Sequence, residues 1–134
     1  MKIKPIGLLW LCLLIISCSA WNKKSKHSEI HAKWKLLAIK HECPDSINTI
    51  FLDFKASGSL NGMLVCNLIK GSYEINNKGG VKFNNLNLTY KTCASYCLEK
   101  LITSNLYQVN YYSIKQDTLR FYNDSDLKMT FIKS

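Results

Sequence analysis

From Trp34 to Ile132 the chain runs as short apolar or alternating segments divided by turn chemistry, with one interruption of helical period. Segments this short cannot bury themselves and must pair with neighbours, so the pattern demands a sheet. Trp34 to Ile39 reads as the first strand. Ile50, Leu52 and Phe54 alternate with Phe51, Asp53 and Lys55, and Ala56-Ser57-Gly58 turns the chain into a run around Leu60, which predicts a hairpin. Met63 to Tyr73 continues with strand character, Asn76 to Gly80 breaks it, and Val81 with Phe83 resumes the alternation, predicting another hairpin. Between Ser95 and Leu106, the apolar positions Cys97, Leu98, Leu101, Ile102 and Leu106 follow helical spacing. Ser95 is the N-cap candidate, and Glu99 comes early enough to favour the helix dipole. Val109 to Ile114, Thr118 to Tyr122 and Lys128 to Ile132 then predict a meander. The expected class is α+β, mostly β: a small curved antiparallel sheet or barrel of about 7–8 strands with one helix.

Ahead of this domain, Lys2 and Lys4 precede an uncharged apolar stretch from Ile6 to Ile16, and a small residue, Ser17, stands before Cys18. Residues 1–17 read as an export leader. The apolar stretch falls well short of the ~20 residues that a bilayer-spanning helix needs. The ending Leu14-Ile15-Ile16-Ser17-Cys18 resembles a bacterial lipobox, in which the cysteine thiol receives lipid and becomes the first residue after cleavage. Two or more acyl chains, at ~0.8 kcal/mol per buried methylene, hold a protein stably at a membrane. The alternative is an ordinary leader cleaved near Ser19 or Ala20, giving a soluble secreted protein. Residues 18–31 read as a polar tether and residues 32–134 as the domain. No acidic retention cue follows Cys18, so the expected location is the bacterial cell envelope, at the outer membrane facing the periplasm.

Cys12 leaves with the leader and Cys18 is consumed by lipid, so Cys43, Cys66, Cys93 and Cys97 remain of the 6 cysteines. In an oxidising compartment these four predict two disulfides, with three possible connectivities. A zinc site is disfavoured there, since no paired C-x-x-C is present. The whole chain carries a formal charge of +9, and loss of Lys2 and Lys4 leaves +7. Such a charge attracts phospholipid headgroups or acidic polymers without choosing among them.

Catalysis has little to build with. His27, His31 and His41 all precede the main strands, and neither a phosphate-cradling glycine loop nor a zinc-protease motif is present. His27 and His31 share i, i+4 spacing, but a solvated tether rarely sustains the helix that would bring them together on a metal. A carboxylate pair such as Asp53 and Glu74 would have to meet in space. Tyrosines near lysines suit sugars or nucleic acid, but strand tyrosines more often pack, and export argues against nucleic acid. No cofactor, metal or enzymatic activity is expected.

Gly62-x-x-x-Cys66-Asn67-x-x-x-Gly71-x-Tyr73, followed by Leu88-x-x-x-Thr92-Cys93 and Glu99, resembles the META domain, the HslJ-like family of bacterial envelope proteins. The similarity runs from Trp34-x-Leu36 through Tyr111-x-x-Ile114-x-x-Asp117-x-Leu119 to Phe131, covering roughly residues 32 to 134. Val65 departs from it where glycine is usual, and Cys43 and Cys97 are additions. The resemblance implies that Cys66 pairs with Cys93, leaving Cys43 for Cys97. It also implies a small lipoprotein module linked to envelope stress, drug tolerance or secretion, with no active site. Gly62, Asn67, Gly71 and Tyr73 read as scaffold on physical grounds alone. The leading expectation is a lipid-anchored, non-enzymatic interaction or stress-protection module whose partner is an unidentified envelope protein. One alternative is a carrier of a small apolar ligand, with a lipocalin-like cavity lined by Trp34, Phe54, Phe83 or Phe121. Another is an inhibitor of a secreted enzyme such as lysozyme, against which the positive charge argues, because lysozymes are commonly basic.

Overall fold

Pairing of successive strands turns the alternation into architecture. A computed structural model describes residues 27–40, 47–92 and 97–134. The strands are β1 (Lys33–Ile39), β2 (Phe51–Phe54), β3 (Ser59–Met63), β4 (Leu68–Ile75), β5 (Val81–Leu88), β6 (Tyr111–Lys115), β7 (Thr118–Asn123) and β8 (Asp126–Lys133). One helix, α1 (Cys97–Gln108), separates β5 from β6. All eight strands form one sheet in the order β5-β4-β3-β2-β1-β8-β7-β6, with antiparallel neighbours throughout. Among the described residues, the expected mostly β fold with a single helix is therefore the observed one.

The sheet curls strongly into a half-barrel, and its two edges approach at one end. Gly80 bridges to Tyr111, Val81 N–H donates to the Asn110 carbonyl at 3.1 Å, and Tyr112 N–H donates to that of Gly79 at 2.9 Å. Further along β5, the edge amide of Leu86 donates to the Tyr107 hydroxyl of α1 at 3.1 Å, so the helix covers part of the open edge. The β6–β7 and β7–β8 turns are tight. Gln116-Asp117 and Asp124-Ser125 each join paired strand ends, with Gln116 and Asp124 both at φ 54°.

Inward residues of the strands share one hydrophobic core with the apolar face of α1, where Leu98, Ile102 and Leu106 are fully buried. Rings fill the centre: Phe54 lies 6.1 Å from both Phe83 and Phe121, Phe83 5.6 Å from Phe121, and Phe121 5.8 Å from Phe131. Phe54 also meets Tyr73 edge to face at 5.0 Å. Of the positions named for a ligand cavity, Phe54, Phe83 and Phe121 are thus occupied by mutual ring packing, and Trp34 is buried with its indole N–H on the Ile30 carbonyl.

Two local features differ from the expectation. Met63 to Tyr73 is interrupted at Leu64–Asn67, where Leu64 N–H donates to the Asn67 carbonyl at 2.9 Å and turns β3 into β4. The segment contains no glycine or proline, and its turn is held from elsewhere in the fold. Upstream of β1, Ser28–Ile30 forms a 3-10 turn with Ile30 fully buried and its carbonyl accepting from Trp34 Nε1 at 2.9 Å. Packed structure therefore extends into the stretch read as tether, at least as far as Ile30. Ser95, the N-cap candidate, lies outside the described residues.

Candidate functional site

The β3–β4 turn presents two backbone amides in succession, and α1 supplies the acceptor. Glu99, in the first turn of α1, reaches across to them. Its Oε1 accepts from Cys66 N–H at 2.6 Å and from Asn67 N–H at 2.7 Å, while Oε2 accepts from Asn67 Nδ2 at 2.8 Å. Asn67 Oδ1 in turn accepts from Thr89 Oγ1 at 3.0 Å and from Lys91 N–H at 2.8 Å. Thr89 Oγ1 takes the Leu68 amide at 3.0 Å. One carboxylate and one side-chain amide thereby join the β3–β4 turn, the end of β5 and the start of α1.

Glu99 and Asn67 are 2 % and 3 % exposed, so protein groups rather than bulk water must satisfy them. They do: among the described residues, no buried side-chain nitrogen or oxygen lacks a partner. Burial alone would push the Glu99 carboxyl upward. The Asn67 side chain, the Asn67 amide and the Cys66 amide outweigh it and hold the group below the ordinary carboxylate range. The result is a carboxylate held by three hydrogen bonds, two at Oε1 and one at Oε2, chemistry suited to holding a loop.

The remaining motif residues take structural positions. A Cβ at Gly62 would stand 2.5 Å from the Phe51 carbonyl, so β2 and β3 approach too closely there for any side chain. Opposite the bulge at Asn85–Leu86 in β5, a Cβ on Gly71 would meet Leu86 Cδ2 at 2.7 Å and the Asn84 carbonyl at 3.0 Å. Tyr73 hydroxyl donates to the Lys55 carbonyl at 2.6 Å, and its pKa is pushed up to about 12 by burial, then by Tyr112. Thr92 is exposed. Thr89, three residues earlier and not singled out in the sequence, carries the hydrogen bonds. Val65 is absent from the described residues with positive φ, so the turn is made without the conformation that glycine favours.

Cys66 lies in the clasped turn and Cys97 opens α1. Cys18, Cys43, Cys93 and the His41-Glu42-Cys43 cluster lie outside the described residues. His27 Nε2 meets Asn77 Oδ1. Asp53 forms an ion pair with Lys55 at 2.7 Å, and its row across the sheet passes through Asn61 to Lys70, four positions before Glu74. The two carboxylates therefore do not share a site. Among the described residues, no group of three or more His, Cys, Asp or Glu side chains could hold a metal, and no helix is long and apolar enough to cross a membrane.

Beside the clasp, the end of β5 and the outer side of α1 enclose an open groove of about 450 Å³. Leu88, Thr89, Tyr90, Lys100, Thr103 and Tyr107 line it, with Asn67 and Glu99 at its base. Sequence periodicity had no means of pairing Tyr90 with Tyr107, because the groove forms only where the helix folds back over β5.

Three solved structures share the fold. A DUF4847 family protein from Bacteroides vulgatus superposes with a TM-score of 0.60 at 15 % identity, covering 78 % of this chain and 94 % of its own. A protein from Burkholderia xenovorans superposes with a TM-score of 0.59 at 19 % identity, covering 78 % and 82 %. No curated protein matches the chain. The family model of the META domain matches residues 28–134, a span that opens at the 3-10 turn and takes in all eight strands, the clasp and the helix; the chain belongs to the META domain family.

Proposed function

We propose that this protein is held in the bacterial cell envelope by lipid on Cys18 and acts by presenting its folded surface to a partner, without catalysis. The observation that carries the non-catalytic part is the commitment of Glu99. The carboxylate that burial and pKa would otherwise single out spends both oxygens on Cys66 and Asn67. The leader pattern and the lipobox-like ending at Cys18 support the address. Under this reading Cys66 pairs with Cys93 and Cys43 with Cys97, two disulfides that brace the clasp corner in an oxidising space, each stabilising by ~2–4 kcal/mol.

Mass analysis of the protein recovered from a bacterial envelope tests the anchor. The expected species begins at an acylated Cys18, and Cys18→Ser leaves the membrane fraction or keeps its leader. An unmodified terminus at Ser19 or Ala20 overturns the reading. On the same material without reduction, Cys43, Cys66, Cys93 and Cys97 are expected to resist alkylation. Cross-linking in living cells is expected to capture an envelope protein.

The groove beside α1 favours one second reading, a small apolar ligand carried outside the filled interior, against Leu88, Tyr90 and Tyr107. Native mass spectrometry of gently purified protein distinguishes it. A stoichiometric bound molecule supports the carrier, and the bare chain beside a co-purified protein removes it.

A further inference from the structure

The outward face of the sheet is less polar than a solvated face need be. Strand register places Leu68, Met63, Phe51, Lys35, Ile132, Thr118 and Lys115 in one continuous row across it. Leu37, 51 % exposed, stands beside that row on β1, and Leu68 and Ile132 are 38 % and 39 % exposed. Lys70, Asn61, Asp53 and Lys33 make the adjoining row. Lys33 Nζ lies 3.7 Å from the centroid of the Phe51 ring, so the cation sits directly over the apolar stripe.

The charges on this face are uneven. Among the described residues, the two ion pairs are Lys55 with Asp53 and Lys128 with Asp126. Both acidic members are therefore already neutralised, and Glu74 on β4 stands across from Lys82, whereas Lys33, Lys35, Lys70, Lys115 and Arg120 have no carboxylate within ion-pair distance. A face that combines an exposed apolar stripe with surplus cations fits a surface that is apolar at depth and anionic at its rim.

We propose that the outward face centred on β1 seats on an anionic phospholipid bilayer. Leu37, Phe51 and Ile132 enter the headgroup boundary, and Lys33 and Lys35 meet phosphate. An acidic polymer would use the cations but leave the apolar row unexplained. β1 is also the first strand after the tether, so lipid on Cys18 keeps His27, at the edge of the folded part, within about 30 Å of a bilayer even at full extension of residues 18–27. Only that increase in local concentration rests on the anchored reading. The seating itself depends on the face.

The test uses the chain from Ser19 onward, which lacks Cys18 and the apolar leader but keeps the whole core from Ile30 to Phe131. It is mixed with vesicles of phosphatidylcholine alone or with an equal share of phosphatidylglycerol, and sedimentation is read. Binding is expected only to the anionic vesicles and is expected to weaken with salt. Each cation at such a surface is worth roughly fivefold, so Lys33→Gln with Lys35→Gln lowers partitioning about 25-fold. Lys78→Gln with Lys100→Gln, on the β4–β5 turn and on α1, changes it less than about twofold. Leu37→Ser with Ile132→Ser weakens binding while preserving its salt dependence. Equal binding to neutral vesicles, no binding to either, or equal losses from the two lysine pairs overturns the proposal. Because this chain carries no lipid, none of these outcomes depends on whether Cys18 is acylated.

Discussion

The interior of the curled sheet and the corner at the β3–β4 turn are both buried and both fully partnered, yet they are held by opposite means. In the interior, Phe54, Phe83, Phe121 and Phe131 meet through ring faces and edges at 5.6–6.1 Å, a packing that depends on volume and ignores pH. At the corner, Glu99 and Asn67 depend on the direction of a few hydrogen bonds and on one negative charge. The first arrangement accepts apolar substitution of similar size. The second accepts almost none, because any replacement leaves donors buried without an acceptor.

The largest expected effect breaks the interior. Phe121→Ala should cost about 3–5 kcal/mol, measured by urea unfolding, and the loss should be the same across mildly acidic and neutral pH. Glu99→Gln should cost less, about 1–3 kcal/mol, but should alter the pH profile as Phe121→Ala does not. The Glu99 pKa is lowered in the folded state from 4.5, so its contribution is full above that value and lost as pH falls through the folded one. The variant should therefore show a shallower acid limb in unfolding midpoint against pH; an unchanged limb would place the acid sensitivity elsewhere. Tyr73→Phe, which removes the bond to the Lys55 carbonyl, should have the smallest effect, about 0.5–1.5 kcal/mol. Tyr73 is raised from 10.0 to about 12, so its ionisable contribution is complete below pH 10.0 and fades as pH rises towards 12. Phenylalanine should remove that part of the alkaline limb, as read by the same titration.

The strands and the helix were legible because their signals are local. Leu52 and Phe54 alternate with Phe51 and Asp53, and Leu98, Ile102 and Leu106 repeat with helical period. The β3–β4 turn was not legible, because the group that stabilises it comes from Glu99, over thirty residues later in the chain. Glu99 itself was readable only as a favourable charge near a helix start. Its larger role needed the cross-sheet approach that sets α1 against the clasped turn. Thr89 was overlooked for the same reason: an isolated threonine at a strand end gives no sign that it will link Asn67 to the Leu68 amide. Likewise, burial of Ile30 depends on the Trp34 indole folding back over its carbonyl, which the polar residues around it conceal.

The pairing of β1 with β8 has a consequence for the order in which the molecule can be completed. Every other neighbouring pair is consecutive in the chain, so each can zip as soon as its hairpin exists. β1 must wait with one edge unpaired until residues up to Lys133 have arrived. A chain emerging from its N-terminus therefore passes through a long stage in which β1 offers an open edge for mispairing. Lys33 and Lys35, on the strand that waits longest, place positive charge at that edge and discourage a second copy from taking the place of β8.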